Sequence, residues 1–184
     1  MRNLAFVVLA VLLLVVLIVI PLHYHFRARK SEEATWEELL GRLTWMDPHS
    51  IATIALDMIN ESGEPQQRES AFALEPSTIW TLVGGLEGLQ TIEHNCHVLV
   101  ELAAYVQKWY PEALVVAEQL RLNAREIEWH VSRLQGAAQT GNLQASFAEY
   151  AQRAVATYYL MTRHVLTLYQ QANVPGLVEL QRAL

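Results

Sequence analysis

Apolar positions fall into two patterns along this chain. From Leu4 to Leu22 they are continuous, LAFVVLAVLLLVVLIVIPL, a run of 19 residues without a charge. Beyond residue 30 they return every third or fourth position between polar residues, and no stretch shows the alternation of a strand. The continuous run predicts a helix about 28 Å long, close to the thickness of a bilayer's hydrocarbon core. A cleaved signal peptide would carry a shorter apolar region and a small-residue cleavage site. Here the run passes into PLHYHFRARK, bulky and basic, so an uncleaved anchor is expected.

The periodic pattern predicts helices with recognisable starts and stops. Thr35 and Glu38 in TWEE have the capping-box spacing for a short helix to about residue 43. Asp47 followed by Pro48 reads as N-cap and first turn of a second helix, to about Asn60. Ser62-Gly63-Glu64-Pro65 ends it, and the polar QQRES that follows predicts a loop. Glu75-Pro76 opens a third helix, expected to run to about Trp109, where Tyr110-Pro111 interrupts it. A fourth is expected from Pro111 to about Leu134, and a fifth from about Leu143 to Gln171. Val174-Pro175-Gly176 then separates a short tail helix.

The stripes say how these helices pack. Ala113, Ala117, Leu120, Ala124, Ile127, Val131 and Leu134 recur at spacings of four and three, and Leu143, Phe147, Tyr150, Ala154, Thr157 or Tyr158, Met161, Val165 and Leu168 do much the same. VLVELAAYV, residues 98–106, is apolar nearly all round and predicts a buried central helix. Gly84 and Gly88 lie one turn apart, a spacing that favours close approach of a neighbouring backbone over a local kink or a late helix start near Leu86. The expected fold is all-α: an N-terminal transmembrane helix followed by an antiparallel helical bundle of about three long helices plus shorter ones. Its divisions are a tail at 1–3, the transmembrane helix at 4–22, a basic juxtamembrane linker at 23–34 and the bundle domain at 35–184.

Charge sets orientation and excludes some partners. Arg27, Arg29 and Lys30 follow the apolar run and only Arg2 precedes it, which predicts an outside N-terminus and a cytoplasmic bundle. Residues 1–30 hold four basic and no acidic residues, so the remainder has 13 − 4 = 9 basic against 19 acidic, a net charge of −10. Such a surface is a poor match for nucleic acid. Arginine outnumbers lysine 11 to 2, a habit of GC-rich bacterial genomes, so the membrane is read as a cell inner membrane. The single cysteine, Cys96, rules out an internal disulfide.

Candidate chemistry gathers in TIEHNCHVLVELAAY, residues 91–105. On a wheel with Glu93 at the origin, Leu82, Leu86, Leu89, Val100 and Ala104 fall on either side of it, which puts Glu93 mid-stripe with His97 beside it. A buried carboxylate needs a partner, a proton or a metal. A metal or haem site would use Glu93 and His97 with His130 or His164 from facing helices. No Glu-x-x-His pair, Cys-x-x-Cys-His or His-Glu-x-x-His supports it. The structural reading is favoured: a Glu93–His97 pair hydrogen-bonded in the core, joined by Arg121, Arg125 or the Tyr158-Tyr159 pair. Cys96 reads as a small buried hydrophobe, and His23 and His25 beside Tyr24 as interfacial anchors. Trp36, Trp45 and Trp80 could form a partner-binding patch, although filling the core is the commoner use of tryptophan.

No Ser/His/Asp arrangement or Gly-rich phosphate loop appears, so no enzyme activity and no cofactor are expected. The leading expectation is a single-pass, membrane-anchored bundle acting as scaffold, adaptor or regulatory subunit, touching the lipid bilayer and other proteins and open to homo-oligomerisation. The alternative is a membrane-tethered metal- or haem-binding redox bundle centred on Glu93 and His97.

Overall fold

The second helix begins as its first residues dictate. The Asp47 carboxylate accepts hydrogen bonds from the backbone N–H groups of His49 (3.3 Å) and Ser50 (3.1 Å), and from Ser50 Oγ at 2.6 Å. These bonds, the Ser50 hydroxyl first, hold the carboxyl below the usual aspartate range. Pro48 fills a first-turn position where no N–H is needed. In the computed structural model, which describes residues 34–60, 63–64 and 74–184, the helices are α1 (Trp36–Gly41), α2 (Pro48–Met58), α3 (Pro76–Val83), α4 (Gly85–Val106), α5 (Ala113–Gln139), α6 (Leu143–Gln171) and α7 (Leu177–Ala183). The expected span at 4–22, the linker up to residue 33 and the QQRES loop lie outside the described residues. Among the described residues no helix is long and apolar enough to cross a membrane.

The third predicted helix is two helices. Gly84 (φ 81°) and Gly85 (φ 65°) both adopt left-handed backbone, which ends α3 and starts α4. The Gly84/Gly88 spacing therefore serves a break and not, as expected, the packing of another helix. A Cβ on Gly88 would lie 1.6 Å from the carbonyl oxygen of Val83, the chain's own preceding turn. At the next junction α5 starts at Ala113, after a tight turn through Pro111, and continues past the expected Leu134 to Gln139.

α4, α5 and α6 make the frame. α5 packs on α4 and on α6 over their lengths. Only residues 140–142 join α5 to α6, so these two helices must run antiparallel. α4 and α6 run the same way: Asn95 meets Tyr158 at 3.2 Å, and eleven residues later along α6 the Tyr169 hydroxyl donates to the Leu102 carbonyl at 3.0 Å. The predicted stripes face inward, with Ala113, Ala117, Leu120, Ala124, Ile127, Val131 and Leu134 all buried on α5. On α6, Phe147, Ala154, Tyr158, Met161, Val165 and Leu168 are buried, while Leu143 and Tyr150 of the predicted stripe are only partly so. Each fully buried Leu, Ile or Met side chain contributes roughly 1.5–3 kcal/mol, so these faces hold the domain together.

The shorter helices close the frame. α2 lies on α6 through Ala55, Ile59 and Ala156, and Gln152 Nε2 donates to Asp57 Oδ2 at 2.9 Å in the buried seam. α3 meets α6 where the Trp80 and Phe147 rings stand 4.7 Å apart. α1 sits on α4, and α7 on α6.

Candidate functional site

Two polar residues of TIEHNCH, His94 and Asn95, clamp a strap together with Glu101. Asn95 is 1% exposed, its amide donating to the Thr44 carbonyl (2.7 Å) and the Tyr158 hydroxyl (3.2 Å) and accepting from the Thr44 N–H at 2.9 Å. His94 Nε2 lies 3.0 Å from the Arg42 carbonyl. Glu101 holds the Arg42 guanidinium with both oxygens, the Nη2–Oε1 distance being 3.1 Å. Three side chains of α4 thus fix residues 42–44, the segment leaving α1, and so fix where α1 lies.

The buried Glu93–His97 pair does not form. His97 Nε2 instead meets Glu128 Oε1 of α5 at 3.0 Å, at a partly exposed site. Glu93 is half-buried; that burial, and after it the Glu128 carboxylate, raises its pKa while His97 pulls the other way. The wheel failed because three of the residues that defined its stripe, Leu86, Val100 and Ala104, are only partly buried, while Ile92, Leu99 and Ala103 were left out of it. The inward face of α4 is that of Leu89, Ile92, Cys96, Leu99 and Ala103. Tyr158, offered as a partner of the pair, bonds Asn95, and Arg121 pairs with Glu118.

The remaining candidates are scattered. His130 is 3% exposed, among the Trp129 and Tyr150 rings at 5.0 and 5.6 Å, with neither ring nitrogen hydrogen-bonded and Glu126 3.6 Å away. Burial lowers its pKa, against the pull of Glu126. His164 is exposed on α6. Among the described residues no group of three His, Cys, Asp or Glu side chains is placed to hold a metal ion. Cys96 is fully buried, and burial first, then the Glu128 and Glu93 carboxylates, pushes its thiol up to about 12. It is no nucleophile at neutral pH.

The strap's effect is seen at Trp36, whose indole stands 5.2 Å from the Tyr169 ring and 6.3 Å from Tyr105. It rests on Gly176, where a Cβ would come within 2.6 Å of Trp36 Cε2 and where φ is 99°. Tyr105 meets Trp109 edge to face at 4.9 Å, and Trp109 is 51% exposed. Trp36, Tyr105 and Trp109, with the Val174–Gly176 turn, line a half-open groove of about 450 Å³, and Glu37 and Glu179 are its acidic members.

Of the three tryptophans singled out in the sequence, Trp36 belongs to this groove. Trp45 is 65% exposed just beyond the strap, and Trp80, 43% exposed, packs on Phe147 and Gly85. Tyr105, Trp109 and Glu179 escaped notice, although Trp109-Tyr110-Pro111 marks aromatics at a helix end and Val174-Pro175-Gly176 a turn able to receive one. No family model, curated protein or solved structure matches the chain, so this geometry alone carries the functional reading.

Proposed function

We propose that the chain is a single-pass membrane protein, its N-terminus outside and its helical bundle in the cytoplasm, that docks a partner protein through the Trp36–Tyr105–Trp109 groove. It serves as a scaffold, adaptor or regulatory subunit and not as an enzyme. The observation that carries this is Trp109, a large indole half in solvent beside a groove whose shape the rest of the fold maintains. Aromatic anchors in preformed pockets concentrate binding energy at protein interfaces. The apolar run 4–22 supports the anchor, and tethering raises the effective concentration of whatever docks.

The test is co-purification of the full chain in mild detergent. A single stoichiometric partner is expected, lost on Trp109→Ala while the melting temperature is nearly unchanged. A partner retained by that variant, or a chain with no partner, sinks the reading.

A further inference from the structure

The groove is aromatic, but it is not simply apolar. Glu37 and Glu179 contribute to it from α1 and α7, and the domain around it has a net charge of −10 beyond residue 30. An aliphatic side chain would use the ring faces and leave both carboxylates idle. A cation uses both, because ring faces carry the negative part of the aromatic quadrupole.

The protein already uses this pairing, once on the groove's own Tyr105 and twice away from it. Lys108 Nζ lies 4.8 Å from the centre of the Tyr105 ring, Arg133 lies 5.0 Å over Trp129, and Arg163 lies 5.7 Å over Tyr159. Trp129 and Trp109 are exposed to a similar degree, yet among the described residues no cation of the chain lies over Trp109. Lys108, next to Trp109 in sequence, lies over Tyr105, and the charged residues lining the groove, Glu37 and Glu179, are both acidic.

We infer that the groove receives an arginine side chain from a basic segment of the docked partner. This rests on the docking reading above and specifies its chemistry. Arginine fits better than lysine because its guanidinium is planar and weakly hydrated. Its face stacks on an indole while its edge N–H groups reach carboxylates.

The experiment uses the full chain in detergent micelles with its five tryptophan indoles labelled by 15N and assigned through Trp→Phe variants. It is titrated with a short peptide carrying one arginine, and with counterparts carrying lysine or the neutral isostere citrulline. The Trp36 and Trp109 signals are expected to shift saturably with the arginine peptide. Binding of the citrulline peptide should be about tenfold weaker, and Glu37→Gln with Glu179→Gln should weaken the arginine peptide similarly. Equal binding of arginine and citrulline peptides overturns the inference, as does a common shift of all five indoles, which marks diffuse charge attraction. A partner lost on Trp109→Ala without any arginine preference overturns it too, and leaves the docking reading standing. Arginine binding at the groove with the partner unaffected by Trp109→Ala supports the cation site and sinks the docking reading.

Discussion

At the scale of single residues, the side chain at the centre of the polar cluster is Asn95. Its three hydrogen bonds tie Thr44 and Tyr158 to α4 from inside the protein. Asn95→Leu has nearly the right volume and none of those bonds. It should cost about 2–4 kcal/mol, read as a lowered urea midpoint, since each bond contributes about 1 kcal/mol and buried groups are left unpaired. A midpoint within error of wild type would show that the strap is held otherwise. Nothing in the sequence marked Asn95 above Glu93, because its backbone partner lies 51 residues earlier and an amide has no sequence signature for that role. Cys96 was legible, since a free cysteine on the apolar side of a helix is ordinarily buried. His130 gives a pH dependence. Its folded pKa is depressed by burial, so the native state prefers the neutral ring while the unfolded chain titrates near about 6.5. The stability this lends is whole above that value and is lost as pH falls through the folded pKa. The melting temperature should fall between about pH 7 and pH 5, and less steeply in His130→Phe, which keeps the ring contacts. An identical slope in the variant would assign the loss to another group.

At the scale of elements, uninterrupted helices were readable and the interrupted one was not. α5 and α6 hold one phase from end to end, so the α5 stripe predicted its buried face residue by residue. The α6 stripe predicted most of its own, missing Ala151, Val155 and Tyr169 and including the partly buried Leu143 and Tyr150. The stretch 76–106 contains two left-handed glycines, and periodicity cannot be counted through them. The two glycines flanking this joint differ in what they need. Gly84→Ala meets nothing closer than 3.8 Å and should cost only the left-handed backbone penalty, about 1–2 kcal/mol. Gly88→Ala places a methyl 1.6 Å from a backbone oxygen. That forces the joint apart, at about 3 kcal/mol or more by calorimetry. The reverse ranking would mean that α3 and α4 can move relative to each other at little cost.

At the scale of the whole molecule, the groove brings together residues 36–40, 105–109 and 174–179, three places that no local pattern relates. The all-helical bundle was legible because burial periodicity is local. The groove was not, because its convergence depends on the strap, the helix ends and a turn after α6 acting together. The same division explains why Trp109, and not Trp36, is the informative variant. Trp36 packs on Tyr169 and Gly176 and so helps hold the bundle, whereas half of Trp109 faces water. The seating of Trp36 on Gly176 also sets an order in time. A chain emerging from the ribosome can form α4 and much of α5 early, but Trp36 has no seat until residues 174–179 have been made. The groove is therefore complete only at the end of synthesis: a nascent chain still short of Gly176 has its long helices and no groove.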